Sequence, residues 1–371
     1  MLTLLCCSFV QAAELPDAVS VGFMYDAEPM LFLGDELINY AHGIELHVDL
    51  SSGFEKEVTT WVERDHWVYS IDFQQFSDSG DLGAMMGVVH SPQEIFNPAG
   101  FYLGESSLAR QYGDGQWYTK FGLVSMDMDF LAPEISGLYV HSAFNNQYNV
   151  SMENFAISPL TAIGGVVGFQ MTDTLEAKTG VYQLSTVMTN PEFGGLTFEL
   201  DRDNGVVAIA QLNGVFAENT SNNLPDPSWQ VGGFTSWDEE EGEGGEEGAR
   251  SPSHALYANA TLPVQDSHRV WLSANYGFHS DNNPVPLWIG GGWVTEGLFD
   301  SRPEDLVLFG ASWSQLSMTD ASNRELLIEV ESHLMITDTI TVLPVLQYFV
   351  LTPTETDVLP IVGGMGIVFE I

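Results

Sequence analysis

Arg269-Val-Trp-Leu-Ser-Ala-Asn-Tyr-Gly-Phe-His279 sets Val270, Leu272, Ala274, Tyr276 and Phe278 at every second position, with Arg269, Ser273, Asn275 and His279 between them. A helix would scatter those apolar residues around its circumference; a strand gathers them on one face and the polar set on the other. The period recurs from Leu326 to Ile336, where Leu326, Ile328, Val330, Leu334 and Ile336 oppose Glu329, Glu331 and His333. Ile44, Leu46, Val48 and Leu50 alternate with Glu45, His47 and Asp49; Trp67, Tyr69, Ile71 and Phe73 alternate with Ser70, Asp72 and Gln74.

A soluble β-sandwich alternates too, with its apolar face inward. Two features favour a barrel in lipid. The polar face carries full charges, and Trp67, Trp117, Trp229, Trp237, Trp293, Trp313 and Tyr348 fall near strand ends, where an interfacial girdle is needed. No run approaches the ~18 apolar residues of a membrane helix. Working back from the C-terminus, strands are expected near 358–371, 340–351, 323–336, 305–317, 286–298, 268–279, 253–264, 228–237, 206–217, 175–184, 161–172, 116–128, 99–110, 65–76, 44–51 and 19–30. The reading is an all-β transmembrane antiparallel barrel of sixteen strands, an even number, with long external loops and short periplasmic turns. With the C-terminus periplasmic, Thr337–Thr339, Asp300–Glu304, Gln265–Ser267 and Asp173-Thr174 are the short turns, and 129–160, 185–205 and 238–252 the long loops.

The 51 acids against 10 Lys and Arg exclude nucleic acid as a partner and disfavour anionic substrates. The acidic run Asp238–Glu247 reads as a solvated loop tip. Residues 1–13 are expected to be a secretory signal shortened at its front, since an apolar run from Leu2 to Val10 precedes Ala12-Ala13 without a basic start. Residues 14–371 then form a single barrel domain, and Cys6 and Cys7 both leave with the signal, so the mature chain has neither a disulfide nor a thiolate metal site. No cofactor or metal is expected.

Four segments resemble the carbohydrate-selective porins of the OprB family. Ser228-Trp-Gln-Val-Gly-Gly-Phe234 is similar to a strand with a Lys/Gln-x-Gly-Gly core. The most specific match is Gly290-Gly-Gly-Trp-Val-Thr-Glu-Gly-Leu-Phe-Asp-Ser-Arg-Pro-Glu-Asp305, which resembles the family's Gly-Leu-Phe-x-x-Arg-Pro-x-Asp signature. Leu343-Pro-Val-Leu-Gln-Tyr348 resembles its Leu-x-Pro-x-x-Gln-Tyr segment, and Lys120 to Phe130 its strand ending in Asp-x-Phe. The resemblance covers most of the chain from about residue 117 and implies a sixteen-stranded barrel with a narrowed lumen that passes small sugars down their gradient. It also implies an outer-membrane setting, with lipid and lipopolysaccharide around the barrel, insertion by the barrel-assembly machinery, and a monomer or a homotrimer. Two departures stand out. The chain ends in Ile371, with Phe369 two places early, and it lacks the many basic groups of the family's sugar constriction.

Transport down a gradient needs no nucleophile, so the bore lining carries the function. Sugars are held by side chains that hydrogen-bond hydroxyl edges and by aromatic planes that stack on ring faces, weakly enough to release. Alternation assigns Glu45, Asp49, Asp72, Arg269, Glu329 and Glu331 to the lumen face, with Lys120 beside them. Loop 129–160, the third external connection and the longest, carries Tyr139, Asn145, Asn146, Gln147, Tyr148, Glu153 and Asn154; folded inward it would set a constriction. Arg110 and Arg269 are expected on the opposing wall. The site candidates are thus Arg110, Lys120, Tyr139, Tyr148, Glu153, Arg269, Glu329 and Glu331. Arg302 and Asp305 read as a pair that locks a periplasmic turn.

Three alternatives stay open at this level, one of them a purely structural or adhesive barrel, which predicts no measurable conductance. A general pore that prefers cations would need only the acidic lumen. An outer-membrane carbohydrate-acting hydrolase would need a carboxylate pair or a Ser–His constellation; the sequence has no HExxH and no Gly-x-Ser-x-Gly.

Overall fold

A computed structural model describes residues 19–33, 37–51, 67–80, 82–86, 88, 90–93, 99–113, 115–131, 133–145, 156–184, 205–216, 223–238, 251–278, 285–316, 324–352 and 361–371. The expected signal segment, Tyr148, Glu153 and the acidic run after Asp238 lie outside them.

The alternating segments become β1 (Val19–Phe32), β2 (Leu37–Ser51), β3 (Trp67–Asp78), β4 (Gly100–Tyr112), β5 (Trp117–Val124), β6 (Ala162–Thr172), β7 (Leu175–Gln183) and β8 (Val206–Val215). They continue as β9 (Ser228–Asp238), β10 (Ser251–Gln265), β11 (His268–Gly277), β12 (Leu287–Glu296), β13 (Leu306–Gln315), β14 (Arg324–Thr337), β15 (Ile340–Thr352) and β16 (Ile361–Glu370). Each strand pairs antiparallel with its neighbours in sequence, and β1 closes on β16 from Met24↔Glu370 to Phe32↔Val362. Closure leaves no edge strand, so every strand's backbone N–H and C=O groups can pair within the sheet, as lipid requires. No helix among the described residues is long and apolar enough to cross a membrane.

The faces sort as the period dictates. Leu46, Leu50, Leu256, Leu272, Ile289, Phe309 and Leu346 are exposed on the outside, and Trp67, Trp117, Trp237, Tyr276 and Tyr348 lie near the ends of that apolar surface. The end that carries Val19 and Ile371 also carries Asp173-Thr174, Asp266-Ser267 and Asp338-Thr339, the tight turns that were expected. Two connections at that end are long, 52–66 and 216–227, close to the 52–64 and 218–227 that the expected strand bounds left.

A β-bulge interrupts β4: Asp72 faces Glu105 and Phe73 faces Leu103, so Gly104 is the extra residue. A Cβ there would press on the side-chain ends of Asp72 and Gln74, which a glycine avoids. From that point toward Tyr112 the inside and outside positions of β4 exchange.

Candidate functional site

The described parts of the connection between β5 and β6, residues 125–131, 133–145 and 156–161, enter the barrel rather than standing above it. Its first leg, with Met126, Phe130 and Leu131, packs in a buried cluster with Val166, Tyr182, Val207, Ile209, Phe234 and Tyr257, the inner wall of β6 to β10. The Leu131 N–H donates to Gln211 Oε1 over 3.0 Å, and Leu131 takes φ +69°, a left-handed turn that a leucine adopts only under constraint. The next described residues, from Pro133, lie on the adjoining arc of the wall.

The second leg comprises a 3₁₀ turn, Glu134–Leu138, and the short helix α1, Ser142–Asn145. It lies on β11 to β15: Tyr139, Val140 and Phe144 share a buried cluster with Trp271, Trp288, Leu308, Leu327 and Phe349. Four hydrogen bonds fix it. Trp271 Nε1 donates to Tyr139 Oη over 2.8 Å, Tyr139 Oη donates to Phe309 O over 3.1 Å, the Val140 N–H donates to Glu331 Oε2 over 3.2 Å, and His333 Nε2 donates to Leu138 O over 2.8 Å. Burial holds the Tyr139 phenol above its ordinary pKa, so it stays a donor. Gly292 and Gly310 leave room beneath: a Cβ on Gly292 would stand 2.6 Å from Trp271 Nε1 and 2.7 Å from Tyr139 Oη.

A second inward segment, between β3 and β4, locks the first. Ser142 donates its N–H and its hydroxyl to Ser91 O over 3.2 and 2.9 Å. Gln347 Nε2 donates to Pro92 O and to Glu329 Oε2 over 2.8 and 2.7 Å, Gln93 Nε2 donates to Glu28 O over 2.5 Å, and His90 Nδ1 lies 3.0 Å from Glu325 Oε1. His141, fully buried close to His90, is held well below the ordinary histidine pKa by burial first and by His90 second; it is neutral, and its Nδ1 accepts the Ala143 N–H.

Across the bore, Lys120 Nζ lies 3.1 Å from Glu105 Oε1 and 3.2 Å from Asp129 Oδ2, all three groups buried. Burial pushes Asp129 up, against the pull of Lys120. Asp127, which accepts the Ser158 N–H, is pushed up to about 6 by burial. The inward residues of β2 and β3 include Glu45, His47, Asp49 and Asp72, with His47 Nε2 3.0 Å from Asp49 Oδ1 and Ser70 Oγ donating to Asp49 Oδ1 over 2.5 Å. On β7 to β9, Lys178 Nζ lies 3.3 Å from Glu176 Oε2, Asn213 donates to that same oxygen, and Gln230 stands nearby on the inner face. Apart from buried Asp72, these side chains are partly exposed, unlike the second leg's anchors.

Of the residues expected from sequence, Glu329, Glu331 and Arg269 do face inward, but all are at most 1% exposed, and Glu329 Oε2, Glu331 Oε2 and the Arg269 guanidinium hold protein groups. Glu331 and Tyr139 are fastenings of the loop, and Glu329 is joined to Gln347. Arg269 donates from Nε and Nη1 to the carbonyls of Pro225, Gln265, Asp266 and His268. Arg110 corrects the expectation of a lumen position: it pairs opposite Trp67 on the outer face, its guanidinium 5.1 Å from that indole centroid. The bulge at Gly104 is the reason, because it reverses the parity that Tyr102 would otherwise pass to Arg110. Arg302 and Asp305 do lock their turn, through Arg302 Nη2 to Asp305 Oδ1 at 2.9 Å, a second contact from Nε to Oδ2, and Arg302 Nη2 to Met335 O at 3.0 Å. Sequence reasoning missed Trp271, Trp288 and Phe144 on the inside and Tyr118, whose ring lines the inner wall beside Asp129.

Among the described residues no group of His, Cys, Asp and Glu is arranged to hold a metal ion.

A family model described as carbohydrate-selective porin, OprB family, matches residues 65–358. OprB of Pseudomonas putida in its high-pH structure is 17% identical, with a TM-score of 0.76 over 96% of this chain and 94% of that one. Its low-pH structure is 14% identical, with a TM-score of 0.58 over 96% and 93%. OmpT of Vibrio cholerae, expressed in the outer membrane, is 11% identical, with a TM-score of 0.56 over 96% and 99%. No curated protein matches the sequence.

Proposed function

Since the chain belongs to the OprB family of carbohydrate-selective porins and is an outer-membrane porin, we propose that small neutral sugars cross it between the inward loop and the walls of β1–β5 and β7–β9. The observation that carries this reading is the described part of the loop between β5 and β6, fastened inside the barrel on two adjoining arcs of the wall, β6–β10 and β11–β15. The polar groups beside the opening are partly exposed Glu45, His47, Asp49, Glu176, Lys178, Asn213 and Gln230. They offer the mixture of acceptors and donors that hydroxyl edges need, and Tyr118 offers an aromatic plane. Tyr139, Trp271 and Trp288 are sealed in the packed loop and have no face free for a ring.

A general cation-preferring pore is the second reading, and the ion pairs favour it as a component. On the described inner wall carboxylates outnumber basic groups, and both lysines there, Lys120 and Lys178, are held by carboxylates. Such a bore focuses cations and repels chloride. Planar-bilayer conductance of the refolded protein, titrated with neutral sugars, decides between the two: a saturable fall with one class of sugar supports the first reading, and indifference to every sugar leaves the second.

The proposal extends to insertion by the barrel-assembly machinery, supported by the outward side chains of Met365, Ile367 and Phe369 on the closing strand, and to a homotrimer, which mass measurement in mild detergent tests.

A further inference from the structure

The turn between β8 and β9 does not hang below the barrel. Its described part, 223–227, folds up into the bore. Leu224, 3% exposed, belongs to the same buried cluster as Ile135, Tyr139, Trp271 and Val294. Asn223 Nδ2 donates to Glu296 Oε1 over 2.7 Å, and the Asp226 N–H donates to Glu134 Oε2 over 3.3 Å. Chain from one end of the barrel therefore touches the loop that enters from the other.

Arg269 ties the backbone of this turn to its neighbour. Arg269 Nε donates to Pro225 O over 3.1 Å, while Nη1 reaches Gln265 O at 3.1 Å and Asp266 O and His268 O at 3.2 Å each. A guanidinium presents its donors in a rigid fork, so a single buried residue ties carbonyls of the β8–β9 turn to those of the β10–β11 turn.

We propose that Arg269 is a positioning residue for the constriction: by holding Pro225, it keeps the Leu224–Asp226 segment beneath Glu134 and so fixes how far the inward loop stands into the bore. This rests on the reading of that loop as the constriction. The 3₁₀ turn has the wall of β11–β15 on one side and Asp226 on the other. Loss of the second support widens the narrowest section, and conductance and size cut-off follow that section.

The test uses single-channel conductance and liposome swelling with neutral solutes of graded size. R269A is expected to raise conductance by about twofold and admit larger solutes, with partial return in R269K, whose single ammonium reaches Pro225 O but lacks the fork. E134A cuts the loop's end of the contact and leaves every Arg269 hydrogen bond in place; a smaller rise in the same direction is expected, and this variant decides the matter if R269A yields no folded, heat-modifiable band. Wild-type conductance and cut-off in the folded variants overturn the proposal. A variant lacking 134–145 separates the premise: a rise there without one in R269A or E134A removes only the role of Arg269, whereas no rise there removes the loop reading itself.

Discussion

The Trp271 indole N–H on β11 points at the Tyr139 hydroxyl of the inward loop, 2.8 Å away, and that hydroxyl passes its own hydrogen to Phe309 O on β13. The loop is thus joined to two strands through one oxygen atom. Y139F removes both links and keeps the ring, so it is expected to cost about 1–3 kcal/mol through the donor and acceptor left buried without a partner. Y139A also opens a cavity and should cost about 3–5 kcal/mol, as aromatic truncations in a core do. Urea unfolding in detergent checks both, and open-channel noise should rise in Y139A well above Y139F.

Gly292 lies beneath that junction, and G292A places a methyl group against the Phe309 carbonyl oxygen, Trp271 Nε1 and Tyr139 Oη. Overpacking of this kind costs about 1–3 kcal/mol. The expected result is a barrel that still forms, strained where β12 meets the Phe309 carbonyl of β13, with a loop that protease cleaves faster than in wild type. Equal cleavage rates would show that the wall yields instead.

Lys120 is enclosed by Glu105 and Asp129. K120M leaves two buried carboxylates without their counter-charge and is expected to destabilise the protein by about 3–5 kcal/mol. The triple variant with E105Q and D129N should recover most of that loss, measured as the midpoint of chemical unfolding.

Two groups of the loop give opposite pH dependence. His141 is neutral when docked and takes up a proton when released, so its contribution is full above about pH 6.5 and is lost as pH falls below that value. Asp127, pushed up to about 6, holds its proton more tightly when docked, so its contribution is full below about pH 4 and fades as pH rises through about 6. Protease sensitivity of the loop in D127N should therefore increase from pH 7 to pH 5, and the further change H141F should flatten that profile.

Arg302 and Asp305 make a contrasting case. The hydrogen bond from Arg302 holds the Asp305 carboxyl below its ordinary range, so the turn is firm above about pH 4 and loosens as pH falls through the lowered value. R302A should make the barrel melt earlier at neutral pH while sugar block and reversal potential stay at wild-type values, since the pair faces no part of the bore.

The strands were legible because lipid and water impose the period of two on every one of them. Boundaries failed where that period is blurred. β2 begins at Leu37 rather than at 44 because His42 and Tyr40 stand on its outer face, where an apolar residue was awaited. β5 stops at Val124 rather than at 128, handing Asp127 and Asp129 to the loop. The site was less legible for two physical reasons. Alternation gives the face of Glu329 and Glu331 but not whether water or a folded loop covers it, and a bulge such as that at Gly104 leaves no mark in the pattern while reversing the assignment of Arg110. Trp271 was hidden by the rule that apolar residues face lipid; a loop folded inside a barrel gives the inner wall a second apolar surface to cover.

That inner seam makes the width of the passage and its preference among ions respond differently to ionic strength. The second leg of the loop is fastened by hydrogen bonds and packing out of contact with mobile ions, whereas the carboxylates beside the opening stand in electrolyte, where a Debye length shrinks from about 10 Å at 0.1 M salt to about 3 Å at 1 M. On the cation-preferring reading, brine is expected to weaken the preference for cations while the dimensions hold, so a neutral solute meets the same aperture in fresh and in saline water.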